Sequence, residues 1–269
     1  FEPASTAAFT LPTSPCARCA TRPEATAQTF DAASAAVLVS AGTPARVELP
    51  AASLVNAATG AAASGTVTAS VTPLDPARDP QTMPGDYSVS DTQRIESFGA
   101  IKVNLRDAAG NELDLRAGST ATIRIPLSSR SANPPASIPL YWFNESTGRW
   151  VEEGRATLAG TAPDQYYEGQ VSHFTYWNAD MPQDTIYVNG CVANPAGTRL
   201  PLAQVNTAGI DYSGTAADLT DDQGRFRVAI RKGGRANLWA ELGDSTSNTV
   251  VVGPSQVDIT LPDCLVMSA

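Results

Sequence analysis

Histidine is nearly absent from this sequence, which contains only His173. That scarcity excludes a histidine-rich zinc or copper site within one chain, and any Ser-His-Asp triad would have to use this one residue. The nucleotide-binding motifs G-x-x-x-x-G-K-[ST] and G-x-G-x-x-G do not occur, and neither does the zinc-protease motif H-E-x-x-H. We therefore predict that the protein binds no cofactor and no metal.

Charge is also sparse, since charged residues make up 17% of the chain. The 27 acidic residues outnumber the 18 basic ones, and the net charge of −9 argues against binding to nucleic-acid phosphates. No apolar run reaches the roughly 18 residues of a membrane-spanning helix, so we predict no membrane span. The sequence starts at Phe1 without a signal peptide, and we interpret it as a mature or trimmed chain.

Short apolar or alternating runs recur at about ten-residue spacing, the pattern of β-strands in a sandwich. Clear examples of period-two alternation cover 65–72, 101–105 and 121–127, and no long stretch has the 3.6-residue period of a helix. The other predicted strands cover 36–39, 45–49, 112–115, 138–143, 149–152, 166–177, 186–192, 199–206, 225–230, 236–242, 248–252 and 257–261. The spacing predicts an all-β protein of two β-sandwich domains, with an aromatic hairpin whose arms meet at the turn 144–148.

The composition changes along the chain and predicts three segments. Residues 1–30 are rich in Pro, Thr and Ala and predict an extended arm with a cysteine pair. Residues 31–183 form the first predicted sandwich, and residues 184–269 form the second. The boundary falls near 181–185, after a turn cluster.

The last segment carries G-C-V from Gly190, P-L-A-Q-V from Pro201 and T-D-D-Q-G-R-F-R-V from Thr220. In these residues it resembles the transthyretin-like, carboxypeptidase-regulatory type of domain. The resemblance covers residues 184–269, and T-D-x-x-G-x-F is a fairly specific element. It implies a structural or binding module that is appended to another domain and has no catalysis of its own.

The preceding segment carries four runs that support a second resemblance. They are V-E-L-P-A-A-S-L-V-N from Val47, G-T-V-T-A-S-V-T-P-L-D-P from Gly65, I-P-L-Y-W-F-N-E-S-T-G-R-W-V-E-E-G from Ile138 and V-S-H-F-T-Y-W-N from Val171. Residues 31–183 thereby resemble the extracellular part of the cartilage intermediate layer protein family and the ZU-five sandwich of ankyrins and netrin receptors. The order of the two domains also fits the first family. The resemblance implies the fold and an extracellular setting, and the Arg- and Ala-rich composition indicates a bacterial member.

The tripeptide His173-Phe174-Thr175 is the one candidate reactive site. It is similar to the His-Phe-Ser or His-Leu-Thr of self-cleaving ZU-five domains, GAIN domains and a nucleoporin, in which the backbone is cut before the hydroxyl residue. Thr175 Oγ would attack the Phe174 carbonyl carbon, while His173 takes the hydroxyl proton and returns it to the leaving amide nitrogen. The alternative is an ordinary strand with Phe174 in the core, and we expect the intact chain.

The four cysteines predict two disulfides, which indicate an oxidising compartment. Cys191 and Cys264 bracket the last domain, and a bridge between them would contribute about 4 kcal/mol in the chain-entropy model. Cys16 and Cys19 are close enough in sequence for a local disulfide in the arm. A redox role for that pair, or zinc shared with a second chain, are the alternatives.

Several weaker candidates have ordinary structural explanations. The acidic residues Asp218, Asp221 and Asp222 could bind calcium but lack the spacing of an EF-hand loop, and solvated turns explain them. A glycosidase-like carboxylate pair would need Glu152–Glu153 or Asp75–Asp79, which nothing ties together. Four tryptophans could form a sugar-stacking platform, although core packing is the more frequent use. They are Trp142, Trp150, Trp177 and Trp239.

From these observations we predict a secreted, periplasmic or cell-surface structural or adhesion-type β protein without classical enzymatic activity. Its partner would be an extracellular protein or a glycan. Two alternatives stay open, a self-processing protein cut between Phe174 and Thr175, and a carbohydrate-binding module.

Overall fold

The fold is all-β, as the sequence predicts. A computed structural model describes residues 25–90 and 93–268, and within them the helical structure is confined to a single 3-10 turn, Pro80–Thr82. No helix in this part of the chain has the length and hydrophobicity needed to cross a membrane. The predicted Cys16–Cys19 pair lies outside the described residues.

Strands β1–β12 form the N-terminal module, and strands β13–β21 form the C-terminal module. The N-terminal strands are β1 (Gln28–Asp31), β2 (Ala36–Val39), β3 (Arg46–Leu49), β4 (Leu54–Asn56), β5 (Thr66–Leu74), β6 (Arg94–Asp107), β7 (Leu113–Leu115), β8 (Ala121–Pro126), β9 (Ser137–Asn144), β10 (Arg149–Ala159), β11 (Tyr166–Val171) and β12 (Tyr176–Gln183). The C-terminal strands are β13 (Thr185–Ala193), β14 (Gln204–Gly209), β15 (Thr215–Leu219), β16 (Arg225–Arg231), β17 (Ala236–Leu242), β18 (Ser245–Thr246), β19 (Val250–Val252), β20 (Ile259–Thr260) and β21 (Leu265–Val266).

The N-terminal module is built on one ten-stranded sheet in the order β1-β5-β6-β12-β9-β10-β11-β8-β3-β2, and β4 pairs with β7 beside it. The sheet folds over until its two edge strands meet, where the Gln28 side chain bonds to the Val39 backbone. Alternate residues point inward, as in Ala121–Pro126, where every second side chain is buried. The enclosed core holds aliphatic side chains together with Phe98, Tyr167 and Trp177.

Strand β6 is much longer than the predicted strand 101–105, because the chain already joins the sheet at Arg94. Gly99 lies in this extension with φ +130, and a Cβ there would stand 2.1 Å from the carbonyl oxygen of Pro126. Only glycine allows that close approach. Gly99 and the small or polar residues around it interrupt the alternation of apolar and polar residues. The sequence pattern therefore did not predict this part of the strand.

The predicted strand 166–177 is interrupted in the structure. Strand β11 ends at Val171 and β12 starts at Tyr176, so His173, Phe174 and Thr175 lie in the bend between two strands. Residues 28–30, which the sequence analysis assigns to the arm, instead belong to β1 and pair with β5. Sequence alternation missed both features, since the bend is as aromatic as the strands and β1 is only 4 residues long.

The C-terminal module stacks two sheets, β16-β13-β20 with β21, and β15-β14-β17-β18 with β19. Their inner faces enclose a separate core that includes Val188, Val205, Val228 and Leu238. Strand β14 starts at Gln204 rather than 199, because Pro201 and the positive φ of Leu202 hold the preceding segment in a turn.

The exposed edge of β16 is blocked by side chains from outside its own sheet. Asp218 accepts from the N–H of Arg227 at 2.9 Å, and the Tyr212 hydroxyl accepts from the N–H of Arg231 at 3.2 Å. The Thr207 hydroxyl donates to the carbonyl of Ala229 at 3.0 Å. These contacts occupy backbone groups that would otherwise be open to pairing with another strand.

Candidate functional site

His173 lies in the β11–β12 bend, between two indole rings. Its ring centroid is 4.9 Å from that of Trp142 and 5.0 Å from that of Trp177. Its Nε2 faces Glu153 Oε2 at 3.4 Å, and the other oxygen of that carboxylate accepts from the Ser172 hydroxyl at 2.6 Å. The Trp177 indole N–H donates to the backbone carbonyl of His173 at 3.0 Å. The imidazole is thus positioned by aromatic packing and by Glu153.

Phe174 and Thr175 are held by partners of their own. The N–H of Phe174 donates to Asp114 Oδ1 at 2.7 Å, and its half-buried ring packs against the main core. The Thr175 hydroxyl donates to the carbonyl of Phe143 at 3.3 Å. Partial burial raises the pKa of Asp114, and the N–H groups of Leu115 and Phe174 and the nearby His173 oppose that rise.

The contacts of this bend do not form a general-base pair. Within the described residues, no hydrogen bond joins the His173 ring to the Thr175 hydroxyl, which is already bonded to Phe143. The described non-glycine residues with positive φ are Ala52, Tyr87 and Leu202, so none of them lies in the tripeptide. Self-cleavage needs the base within reach of the hydroxyl, and this arrangement would have to rearrange first.

The second candidate site is the joint between the modules. Ser213, in the loop between β14 and β15, is fully buried. Its carbonyl accepts from the N–H of Ser97 at 2.9 Å, and its hydroxyl accepts from the N–H of Arg130 at 3.1 Å. The Arg130 guanidinium also donates to the carbonyls of Gly209 and Ala77. One loop of the C-terminal module is therefore bonded to two segments of the N-terminal module.

An ion pair between a buried carboxylate and a half-buried arginine crosses the same joint. Glu96 of β6 accepts from Arg231 Nη1 of β16 at 2.9 Å and from Gln183 Nε2 at 2.8 Å, and it also accepts from the Ser131 hydroxyl. The Arg231 guanidinium lies over the Tyr212 ring at 5.1 Å. Both carboxylate oxygens of Glu96 have hydrogen-bond partners, which compensates for the burial of this charge. A cleft of about 810 Å³ opens beside it, lined partly by Phe98, Arg130, Met181, Gln183, Asp211 and Lys232.

Asp180 lies next to this joint and is completely buried. Neither carboxylate oxygen has a hydrogen-bond partner among the described residues, because the neighbouring Ser97 hydroxyl is directed at Asn178 Oδ1 at 2.6 Å. Burial raises the pKa of Asp180 well above its usual value, the neighbouring Ser97 hydroxyl opposes that rise, and the negative charge of Glu96 adds to it. Asp180 therefore holds its proton more tightly than a solvent-exposed aspartate does.

The cysteines and the acidic residues are placed as follows. Cys191 and Cys264 form a disulfide with a Cα–Cα distance of 4.5 Å. Asp218 and Asp221 bond to backbone N–H groups, and within the described residues no three His, Cys, Asp or Glu side chains gather as a metal site. Glu152 accepts from the Tyr141 hydroxyl at 3.0 Å, while its neighbour Glu153 faces His173.

No protein-family model and no curated protein matches this sequence. Among solved structures, a mutant of the shaft pilin SpaA from Lactobacillus rhamnosus GG matches at 10% identity and a TM-score of 0.23. The match covers 63% of this chain and 70% of the pilin. At that score the likeness carries no argument. The resemblances to the cartilage intermediate layer protein, ZU-five and transthyretin-like families therefore stay predictions.

The four tryptophans fall into different environments. Trp150 and Trp177 are buried in the N-terminal module, and Trp142 packs against His173. Trp239 lies half-buried in β17 of the C-terminal module. Sequence reasoning missed the joint because Ser97 and Ser213 are distant in sequence and neither belongs to a recognisable motif.

Proposed function

We propose that the chain is a secreted or cell-surface structural protein whose two β modules act as one rigid unit and present a binding surface to an extracellular protein or glycan. It has no classical enzymatic activity in this proposal. We also propose that the N-terminal module is a ZU-five-like sandwich and that the C-terminal module is a transthyretin-like domain.

The observation that carries the proposal is the buried joint. A flexible linker would leave the modules free to reorient, but here Ser213 is buried and bonded to Ser97 and Arg130. The Glu96–Arg231 pair adds a second fixed point. Relative motion of domains is the usual expectation, and the buried contacts of Ser213 and Glu96 are the reason to propose a spacer of constant geometry instead.

Two further features fit an extracellular setting. The Cys191–Cys264 disulfide is typical of proteins that mature in oxidising compartments. The Gln28 contact that joins edge strands β1 and β2, and the covered edge of β16, leave fewer backbone groups open to pairing with other chains. Both features suit a protein that persists outside the cell without chaperones.

Rigidity is tested with spin labels on the exposed residues Glu145 and Asp244, one in each module, attached through Glu145→Cys and Asp244→Cys. We expect a narrow distance distribution that broadens in Arg231→Ala. The matched control is Arg225→Ala on the same strand, whose side chain pairs with Asp221 away from the joint. A broad distribution in the unmodified protein would overturn the proposal.

Localisation is tested separately in the source organism. We expect an antibody against the C-terminal module to label intact cells or to detect the protein in the medium. Protein found only after lysis, with Cys191 and Cys264 as free thiols, would contradict an extracellular role.

A further inference from the structure

Exposed aliphatic side chains are concentrated in the C-terminal module. Among the described residues, six of the eight large hydrophobic side chains that are open to solvent belong to it, including all three leucines of that set. These are Leu202, Leu219 and Leu242, with exposed fractions of 69%, 56% and 37%. Single exposed apolar residues are normal on a protein surface, whereas a cluster of them marks an interaction site.

The strand register places the three leucines at one end of the module. Leu219 ends β15, and the register across β14 places it two strands away from Glu241, the residue before Leu242. That separation is about 10 Å. The N–H of Leu202 donates to the carbonyl of Thr220, the residue after Leu219, at 3.0 Å. The three leucines therefore share one tip of the module, which we call the leucine tip.

The leucine tip is the end of the C-terminal module opposite the joint. Strand β14 runs from Gln204 at the tip to Gly209, whose carbonyl accepts from Arg130 at the joint. The strand between these two ends is about 17 Å long. A rigid joint therefore presents the tip at a constant distance from the N-terminal module.

The turn before β14 holds Leu202 in a backbone conformation that leucine rarely adopts. Its φ of 58 lies in the left-handed region, which favours glycine and asparagine. The buried Thr220 fixes this turn, because its hydroxyl donates to the carbonyl of Leu200 at 2.7 Å and accepts from the N–H of Ala203 at 2.9 Å. Burial of the side chain does not offset the strain, since Leu202 is the most exposed of the three leucines. Folding alone gives no reason for a leucine here.

The charge around the leucine tip is mainly negative. The segments 199–202, 219–225 and 241–244 carry four acidic residues and two basic ones, which are Asp221, Asp222, Glu241, Asp244, Arg199 and Arg225. Arg225 pairs with Asp221 at 2.8 Å. Membrane surfaces attract Lys and Arg, so an acidic rim argues against insertion of the leucines into a bilayer. A second copy of the chain would bring the same acidic rim and a net charge of −9, which opposes association of two tips.

We infer that the leucine tip docks on a partner protein that has an apolar pocket flanked by Lys or Arg side chains. The leucines fill the pocket, and the acidic rim faces the basic groups, as in interfaces with an apolar centre and a polar edge. The two-residue turn Gly243-Asp244 and the Thr220 contacts position the leucines before binding, which lowers the entropy lost on association. The inference assigns a surface to the protein partner of the proposed function, so it rests on that proposal.

The probe is a phage-displayed library of short random peptides, selected against the intact chain. We expect the selected sequences to combine aliphatic or aromatic residues with Lys or Arg, and their affinity to fall as salt is added. Leu219→Ser should weaken binding of a selected synthetic peptide by about 10-fold, the loss expected from one buried leucine. Leu202→Asn should weaken it to a similar degree and leave the Tm unchanged or higher, because asparagine suits this backbone.

Val257→Ser is the matched control. Val257 is as exposed as Leu202, but it follows Ser255, whose carbonyl accepts from the N–H of Gly233 at the joint end of the same module. Peptide binding should be unchanged in this variant. Thermal unfolding of each variant separates lost binding from lost folding. Rigidity of the joint is measured without peptide, so failure of the leucine tip and failure of the rigid unit are separate results.

Four outcomes would overturn the inference. The first is a selection that yields no peptide or only peptides without basic residues. The second is peptide affinity that is the same in Leu219→Ser and Leu202→Asn as in the unmodified protein. The third is binding to vesicles of phosphatidylcholine and phosphatidylglycerol that is lost in Leu219→Ser, which would assign the tip to a membrane. The fourth is dimer formation that is lost in the same variant, which would assign it to a second copy of the chain.

Discussion

The side-chain amide of Gln28 pairs with both backbone groups of Val39, its Nε2 donating to the carbonyl at 2.8 Å and its Oε1 accepting from the N–H at 3.2 Å. Gln28 is in β1 and Val39 ends β2, the two edges of the ten-stranded sheet. At this seam between the edge strands β1 and β2, the hydrogen bonds of one side chain thus take the place of a ladder of backbone hydrogen bonds.

The seam predicts the effect of Gln28→Met, which keeps the length of the side chain and removes both hydrogen bonds. We expect a loss of about 1 kcal/mol in the free energy of unfolding, since the site is exposed, and a greater tendency to associate through the opened edges. Denaturant unfolding and light scattering measure the two effects. Gln170→Met, at an exposed position of β11, is the control, and an equal effect there would show that the seam is not special.

The buried carboxyl of Asp180 predicts a pH-dependent contribution to stability. Its folded-state pKa is raised, so the folded protein holds a proton that the unfolded chain releases near pH 4. Stability from this group is therefore present below that pH and is lost as pH rises toward the folded pKa.

Asp180→Asn removes this titration. The free energy of unfolding of the variant, relative to that of the unmodified protein, should therefore increase steadily as pH rises above about 4. Urea unfolding at a series of pH values measures the difference. The exposed Asp164→Asn gives the baseline. A difference that stays constant with pH would show that Asp180 is not protonated in the folded state.

The disulfide predicts the outcome of Cys264→Ser. The bridge spans a sequence separation of 73, so its loss should destabilise the C-terminal module by about 2–5 kcal/mol. Unfolding in the presence and absence of reductant measures this. The double variant with Cys191→Ser should match the single variant, and insensitivity of the unmodified protein to reductant would mean that the bridge is not formed.

The bend at 173–175 predicts an intact chain on a denaturing gel. Thr175→Ala should cost only about 1 kcal/mol, because it removes the hydrogen bond to Phe143 and little else. Two fragments spanning 1–174 and 175–269 would contradict this prediction. If they appeared, their loss in Thr175→Ala would establish self-cleavage, and their persistence would point to an outside protease.

Short sequence patterns correctly predicted single strands and hairpins, whose structure depends mainly on neighbouring residues. The alternation of apolar and polar residues predicted β8. The aromatic runs predicted the hairpin in which Phe143 pairs with Trp150 across the strands. The bend at His173 was missed because its residues have the same β-prone character as their neighbours. The joint could not be predicted, since the contact of Ser97 with Ser213 depends on how two complete modules meet. Two serines carry no signal of that contact in the sequence.

The position of the disulfide also determines how the C-terminal module responds to a pulling force. Cys191 lies in its first strand and Cys264 just before its last, so tension applied across the module passes through the covalent bridge. Without the bridge, the residues between the two cysteines could extend by about 250 Å when the sheets come apart. With it, only the short segments outside the loop can lengthen, and the C-terminal module carries a load at nearly constant length.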